Sequence, residues 1–395
     1  MNTRIVGICA LALLAGCGGG GSGGAAPVPS KFLFAVANGG PNSFPGLVYS
    51  FAVYSDGSLS MVSGSPAPLG PYPNTLAITH DSKFLYASTG DFGLLAFQIN
   101  ADGSLTSAPS PFSPTSNVPT GIVAHPMADV LYESELGIGP PTCEGDLTVF
   151  TINSATAALS SSSSVCLSTV ASPTGSPVIT PEGDYLYQSE VTPLQIAEFS
   201  TDASGALYAV PGSPLSITIP SGSSINQMVI DPIGKFLYAS YQFFVVNVGD
   251  DGGVAAYSID AASGALTAVP GSPFSVGGVP NSVAIDASGK FLIVSISPRL
   301  GGPPGNCLAV LSIDPGTGAL TPVPGSPFGP LQTCGGVAAD PSAEYVYAGS
   351  GFTVSVLSID QATGELALIA DATVPTTGVG NLQFAIGVSF IALTH

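Results

Sequence analysis

Carboxylates are the side chains in this sequence that most directly suggest chemistry. They recur in the variable segments between predicted strands, and the members of this set are Glu133, Glu135, Glu144, Asp146, Glu190, Asp250 and Asp251. Paired carboxylates can act as general acid and general base, and they can also hold Ca²⁺ through oxygen ligands. Solvated loop acids without either role are the third interpretation. The residue types alone leave all three interpretations open.

One adjacent pair of acids is a candidate metal site. Asp250 and Asp251 follow Gly249 and precede Gly252, so two carboxylates stand among small residues. Their spacing is not that of an EF-hand loop, although Ca²⁺ is the cofactor that such a pair would bind. We expect no organic cofactor, because the glycine-rich run 18–24 lacks the preceding strand that a dinucleotide-binding fingerprint requires.

Cationic side chains are scarce. The chain has 6 Lys and Arg residues against 25 Asp and Glu residues, which gives a formal net charge of −19. Such a surface repels phosphate backbones, so we expect no nucleic-acid partner. Arg299 is the one basic residue in a variable segment, whereas the lysines stand at the start of predicted strands. His80 and His125 occupy turn positions, and we interpret both as turn residues rather than catalytic bases.

The strands that must position these residues belong to an internal repeat. An aromatic-rich strand phrase begins at Lys31, Lys83, Asp129, Asp184, Lys235, Lys290 and Glu344. A turn phrase of the type Gly-x-Leu follows each one, beginning at Gly57, Gly103, Ala157, Gly205, Gly264, Gly318 and Gly364. A repeat of about fifty residues built from short strands is typical of a β-propeller with one unit per blade. We therefore predict an all-β fold, a seven-bladed β-propeller with four antiparallel strands per blade over residues 31–395.

The ends of the repeat predict how the ring closes. The first unit enters at its second strand, and the C-terminal segments Leu382–Ile386 and Ser389–Leu393 each have the pattern of a strand. We expect one of these two segments to complete the first blade, and the sequence does not decide which.

The loops of each unit divide into two kinds. Two are nearly constant in sequence and lie on one face of the disc, which we name the constant-turn face. The other two vary widely and lie on the opposite, variable face. Because ligand sites favour variable loops held on a rigid scaffold, we expect an unknown small-molecule or protein ligand to bind on the variable face.

The N-terminal residues have the pattern of an export signal. Arg4 precedes an apolar run that ends at Leu14, and Leu14-Ala-Gly-Cys17 is similar to a bacterial lipobox. We predict a lipoprotein signal peptide over residues 1–16, a lipidated Cys17 and a glycine-rich tether over residues 17–30. An ordinary cleaved signal with an incidental Cys17 is the alternative.

The predicted lipoprotein signal also indicates where the protein is located. Gly18 directly after the lipidated position favours the outer membrane in a host that has one. We therefore expect an exported cell-envelope lipoprotein that faces the periplasm or the exterior and contacts the membrane through its lipid anchor only.

Four cysteines remain beyond the predicted signal and lipid site. Cys143 and Cys307 precede the third strand of their units, whereas Cys166 and Cys334 follow the fourth strand. Antiparallel pairing brings the start of one strand near the end of the next, so we predict the disulfides Cys143–Cys166 and Cys307–Cys334. A zinc site is the alternative, but no Cys-x-x-Cys spacing supports it. Disulfides agree with an exported protein.

Three phrases together resemble the lactonase family of seven-bladed propellers, and they are Asp231–Tyr238, Tyr257–Thr267 and Val269–Phe274. That family includes propeller-type 6-phosphogluconolactonases and muconate-lactonising enzymes. The resemblance runs from Lys31 to the C-terminus and implies the fold. The His/Glu/Arg set of the muconate type has no matching positions in this sequence.

Two functions follow from these observations. The scarcity of cations and of a recognisable catalytic set favours a monomeric binding or scaffold module. The resemblance implies the alternative, a lactone hydrolase acting on a sugar lactone, with Glu133, Glu135, Glu190 and Arg299 as its catalytic residues. Arginine forks or clustered lysines usually hold a phosphate, and Arg299 offers a single guanidinium. The sequence therefore gives little support for a phosphosugar pocket.

Overall fold

The structure is a computed structural model. It describes residues 28–37, 46–70, 72–90, 93–108, 118–136, 145–168, 172–191, 193–245, 249–297, 306–329, 334–350, 353–373 and 388–393. Every regular element in these ranges is a β-strand, which confirms the predicted all-β class. The predicted signal peptide, Cys17 and the first part of the tether lie outside the described residues.

The strands in chain order are β1 (Lys31–Ala37), β2 (Gly46–Val53), β3 (Leu59–Met61), β4 (Ala67–Gly70), β5 (Pro73–Ile78), β6 (Phe84–Thr89), β7 (Gly93–Ile99), β8 (Leu105–Ser107), β9 (Val118–Ala124), β10 (Val130–Leu136), β11 (Gly145–Ile152), β12 (Leu159–Ser168), β13 (Ser172–Ile179), β14 (Tyr185–Val191), β15 (Gln195–Thr201), β16 (Leu207–Ala209), β17 (Leu215–Ser216), β18 (Ser224–Ile230), β19 (Phe236–Val245), β20 (Gly249–Ile259), β21 (Leu266–Ala268), β22 (Phe274–Ser275), β23 (Val279–Ile285), β24 (Phe291–Ser297), β25 (Leu308–Ile313), β26 (Leu320–Pro322), β27 (Val337–Ala339), β28 (Tyr345–Ser350), β29 (Thr353–Ile359), β30 (Leu366–Thr373) and β31 (Val388–Leu393).

These strands form seven antiparallel sheets, which are the predicted blades. Blade 1 contains β31, β1, β2 and β3, with β31 innermost, and blades 2 and 3 contain β5–β8 and β9–β12. Blades 4 to 7 contain β13–β16, β18–β21, β23–β26 and β27–β30, each written from the inner to the outer strand. The short strands β4, β17 and β22 pair back onto the third strand of blades 1, 4 and 5. The seven-bladed β-propeller is therefore confirmed.

The C-terminal strand closes the ring. β31 pairs with β1 in the register Leu33↔Leu393 and Val36↔Phe390, so the later of the two candidate segments completes blade 1. The earlier candidate lies outside the described residues. The Lys31 ammonium, 2.5 Å from Asp340 Oδ1, adds an ion pair between blades 1 and 7.

Apolar side chains fill the spaces between neighbouring blades. The largest fully buried residues are the strand-phrase tyrosines Tyr86, Tyr132, Tyr187, Tyr238 and Tyr347. Because strand residues alternate between two faces, each second strand contributes to the cores on both of its sides. None of the described residues belongs to a helix long and apolar enough to cross a membrane.

The second and third strands extend farther toward the variable face than the sequence suggested. Glu133 and Glu135 lie in β10, Glu190 lies in β14, and Asp251 lies in β20. The prediction that these acids are loop residues was wrong. The strand ladder continues past them, as the pairs Glu133↔Thr148 and Glu190↔Gln195 show, because backbone pairing does not depend on side-chain polarity.

One predicted disulfide is confirmed. Cys307 and Cys334 are bonded, with their Cα atoms 5.7 Å apart. Cys166 is also disulfide-bonded. Its predicted partner Cys143 lies outside the described residues, so that pairing stays a prediction.

Candidate functional site

A cavity of about 520 Å³ lies at the centre of the ring, between the inner strands of blades 2 to 7. The polar residues in its wall are Asn74, Thr75, Thr120, Ser176, Asn226, Gln227, Asn281 and Ser282. Inner strands run from the variable face toward the constant-turn face, and Asn74, Asn226 and Asn281 stand near the start of theirs. The cavity therefore lies toward the variable face, where the sequence predicts a ligand.

Asparagine side chains tie neighbouring inner strands together around this cavity. Asn74 Nδ2 donates to the carbonyl oxygen of Pro119 in the next blade, at 2.6 Å. Asn226 Nδ2 makes the same contact with Pro280, also at 2.6 Å. These bonds fix the orientation of each amide, because the nitrogen must face the neighbouring blade. The Oδ1 atom of each side chain then remains as its acceptor.

The side chain of the residue after each asparagine accepts a hydrogen bond from a backbone amide of the next blade. The Ile122 amide donates to Thr75 Oγ1 at 3.1 Å, and the Val283 amide donates to Gln227 Oε1 at 3.0 Å. Ser282 Oγ accepts from the Val337 amide at 3.2 Å. Side chains thus replace the strand pairing that is absent between inner strands, and they hold the cavity wall in one arrangement.

The described part of this wall carries no charged side chain. The four described lysines all bond at the constant-turn face, away from the cavity. The pairs are Lys31 with Asp340, Lys83 with Asp81, Lys235 with the carbonyls of Pro315 and Gly316, and Lys290 with the carbonyl of Gln361. The amide and hydroxyl groups in the described part of the wall can both donate and accept hydrogen bonds.

The predicted catalytic acid Glu190 is 0% exposed, and it lies on the same face of β14 as Leu186, which packs between blades 3 and 4. Its Oε2 accepts from Gln195 Nε2 at 2.7 Å, whereas Oε1 has no hydrogen-bond partner. Burial raises the pKa of Glu190, and the Gln195 hydrogen bond offsets part of that increase. In register it faces Pro173 of the inner strand β13, so it stands one strand away from the cavity wall.

Glu133 and Glu135 lie together on the opposite side of blade 3. They are 0% and 7% exposed, and apart from the carboxyl of Glu135 the oxygens of Glu133 have no hydrogen-bond partner. Burial, and then the nearby carboxylate of Glu135, raise the pKa of Glu133 to about 10. Without a bound cation, Glu133 therefore carries a proton at neutral pH.

The structure does not gather all the predicted site residues. Glu133 and Glu135 lie on one side of blade 3 and Glu190 on the other, while Arg299 lies outside the described residues. Their catalytic role stays a prediction.

The predicted metal pair is in β20. Asp251 accepts a hydrogen bond from the Gly252 amide at 2.8 Å, and for Asp250 the structure describes the backbone only. Among the described residues, no group of three or more His, Cys, Asp and Glu side chains is arranged to hold a metal ion. The Asp250 and Asp251 site stays a prediction.

Sequence reasoning missed the asparagines of the cavity wall. Alignment of the inner strands would have found them, since Pro73-Asn74 and Pro280-Asn281 share a dipeptide at one position of the repeat. Asn226 holds the same place in blade 5.

Comparison with known proteins agrees with the fold. Residues 178–335 match the family model described as Lactonase, 7-bladed beta-propeller. The resemblance to the lactonase family of propellers is confirmed. A candidate 6-phosphogluconolactonase from Bacteroides uniformis is similar, with a TM-score of 0.69 and 17% identity over 92% of this chain and 99% of that chain.

Two further solved structures have a similar fold. A candidate 6-phosphogluconolactonase from Bacteroides fragilis has a TM-score of 0.68 and 18% identity, over 92% of this chain and 98% of that chain. The periplasmic gluconolactonase of Pseudomonas aeruginosa has a TM-score of 0.66 and 17% identity, over 92% of this chain and 99% of that chain. At these identities the likeness shows the fold. No curated protein sequence matches the chain.

Proposed function

We propose that this lactonase-type propeller is a lactone hydrolase that takes an unphosphorylated sugar lactone into its central cavity. The observation that carries the proposal is the cavity wall of amide and hydroxyl groups without a described charge. Its volume of about 520 Å³ is in the range of small-molecule sites. The hydroxyl groups of a sugar lactone can donate to the Oδ1 atoms of Asn74, Asn226 and Asn281.

We propose a substrate without a phosphate because the described cationic side chains lie away from the cavity. A phosphate would need arginine forks or clustered lysines. Each described lysine bonds at the constant-turn face, as Lys31 does with Asp340 and Lys83 with Asp81. The likeness to the lactonase family supports the reaction type, and the neutral wall supports the choice among lactones.

Hydrolysis adds water to the ring carbonyl and breaks the ring C–O bond. It needs a base for the water and an acid for the leaving oxygen. We assign Glu190 to one of these roles, because it is paired with Pro173 of the inner strand β13, one strand away from the cavity wall. Burial raises the pKa of Glu190, which favours the protonated form that a general acid needs.

A pH-stat assay tests the proposal with D-glucono-1,5-lactone and its 6-phosphate, each corrected for spontaneous hydrolysis. We expect turnover of the unphosphorylated lactone, a raised KM for Asn281→Ala and a kcat lowered by about 100-fold for Glu190→Gln. Asn100→Ala is the control, since the Asn100 side chain bonds the Ser104 and Thr106 side chains at a constant turn, away from the cavity. Neither lactone reacting above background would contradict the proposal, and preference for the phosphate would contradict the substrate choice.

A second candidate is ligand binding without turnover, which was the main prediction from the sequence. The complete burial of Glu133 and Glu190 favours it, because neither residue is among those that line the cavity. Calorimetric binding of the lactone without hydrolysis would establish this candidate.

We also propose that the chain is exported and lipid-anchored at Cys17. The Ser30 amide and hydroxyl both donate to the Val53 carbonyl, at the constant-turn end of blade 1. A tether leaving there would direct the cavity away from the membrane. Labelled palmitate tests the anchor, and incorporation that persists in Cys17→Ser would contradict it.

A further inference from the structure

Blade 3 carries a buried glutamate at a strand position where blades 2 and 5 carry alanine and blade 4 carries Gln188. Glu133 stands in β10 at the position that Ala87 occupies in β6 and Ala239 in β19. The Glu133 side chain is 0% exposed, and apart from the carboxyl of Glu135 its oxygens have no hydrogen-bond partner. A buried carboxyl without a partner is strongly unfavourable, so the position requires either a cation or a proton.

Oxygen-bearing side chains surround Glu133 on one face of the blade. Glu133 is paired with Thr148, and Glu135 is paired with Asp146, in the antiparallel ladder of β10 and β11. Residues directly opposite in such a ladder lie on the same face, with Cβ atoms about 5 Å apart. Leu131, on the same face, packs in an apolar cluster with residues of blade 2. The oxygen-rich patch therefore lies between blades 2 and 3.

We propose that Glu133 and Glu135 hold a Ca²⁺ ion between blades 2 and 3. Carboxylate oxygens are hard ligands that suit Ca²⁺ and Mg²⁺, and Mg²⁺ gives up its water reluctantly. The complete burial of Glu133 therefore favours Ca²⁺. The described residues hold no group of three or more His, Cys, Asp and Glu side chains arranged for a metal, so the remaining ligands would have to be backbone carbonyls, water and the Thr148 hydroxyl. Asp146, opposite Glu135, adds negative charge to the patch.

The electrostatics of the pair agree with this assignment. Burial, the charge of Glu135 and a side-chain hydrogen bond with Glu135 raise the pKa of Glu133 to about 10, so without a cation the pair holds one proton instead of two negative charges. A divalent cation replaces that proton and lets both groups ionise. The ion would join blades 2 and 3 below the variable face, and it is independent of the proposed hydrolase.

Thermal unfolding of the full chain tests the site, in EDTA and then with Ca²⁺ or Mg²⁺ alone. We expect excess Ca²⁺ to raise Tm by about 3 °C, and calorimetry to give about one ion per chain. Glu133→Gln should abolish both effects. Glu133→Ala, which installs the residue that blades 2 and 5 carry, should fold and also lack the response. The matched control is Glu190→Gln, a buried acid of blade 4, which should keep it.

Several outcomes would overturn the assignment. One is a wild-type Tm that is the same in EDTA and in Ca²⁺ but changes markedly with pH. That result would show that a proton, and not a metal ion, is shared by Glu133 and Glu135. Another is a Ca²⁺ response that survives Glu133→Gln. A response lost in Asp251→Asn but kept in Glu133→Gln would move the ion to β20.

Discussion

The Tyr187 hydroxyl donates a hydrogen bond to the carbonyl oxygen of Gly264, 2.8 Å away in the next blade. Tyr187 belongs to the strand phrase of blade 4, and Gly264 begins the turn phrase of blade 5. The same bond recurs between other neighbours, as Tyr86–Ala157, Tyr132–Gly205 and Tyr238–Gly318. The two phrases of the repeat therefore recur together because they contact each other across blade boundaries.

Removal of one such hydroxyl should measurably weaken the ring. Tyr187→Phe leaves a buried carbonyl without its donor, and we expect the free energy of unfolding to fall by about 1 kcal/mol. Urea unfolding of the purified chain measures the change. Tyr208→Phe is the control, since the Tyr208 hydroxyl bonds Asp202 at an exposed turn and its loss should cost less. Equal losses in both variants would show that the inter-blade bond is not special.

The turn glycine Gly264 should resist substitution for two separable reasons. Gly264 has φ of +75°, and a Cβ there would lie 2.2 Å from Cδ1 of Tyr185 in the preceding blade. Gly212 has φ of +98° but nothing within 4 Å of its Cβ position. We expect Gly212→Ala to cost about 1 kcal/mol from backbone strain alone, and Gly264→Ala about 3 kcal/mol because the clash adds to it. Urea unfolding of both variants checks the difference, and similar costs would contradict the packing argument.

Much of the architecture was predictable because the repeated phrases form contacts that recur from blade to blade. The period gave the seven sheets, and the shared placement of Cys307 and Cys334 around a third strand gave their disulfide. The closing strand was not predictable in the same way. Both C-terminal candidates alternate apolar residues, and only the pairing of β31 with β1 distinguishes them.

The candidate site was predicted less well, for a physical reason. Polarity suggested that Glu133 and Glu190 are loop residues, yet both lie in strands and are fully buried. Strand pairing uses only the backbone, so it can carry a polar side chain into a core where composition would not place it. Alignment of the repeats was the better guide, because it places Glu133 at the same strand position as Ala87. The position within the repeat predicts burial more reliably than the residue type does.

The pH dependence of stability should reveal the state of Glu133 when divalent ions are removed. Its pKa is raised from 4.5 to about 10 in the folded chain, so the unfolded chain releases a proton that the folded chain keeps. Stability from this group is therefore full below about pH 4.5 and is lost as pH rises toward about 10. We expect Glu133→Gln to flatten the fall in unfolding free energy between about pH 5 and pH 9, measured in EDTA. The exposed Glu365→Gln should leave the slope unchanged, and an unaltered slope in Glu133→Gln would contradict the buried state.

Loss of the Cys307–Cys334 disulfide should loosen the cavity wall as well as the fold. Cys334 precedes β27, and its carbonyl accepts from Asn281 Nδ2 in the wall at 3.0 Å. The disulfide closes a loop with a sequence separation of 27, and in the chain-entropy model it contributes about 3.5 kcal/mol to the free energy of unfolding. We expect the double variant Cys307→Ala/Cys334→Ala to unfold at lower urea and to exchange the amide of Val337, which bonds Ser282, faster than the parent. Unchanged exchange at Val337 alongside lowered stability would show that the disulfide acts on the unfolded chain alone and does not hold the wall.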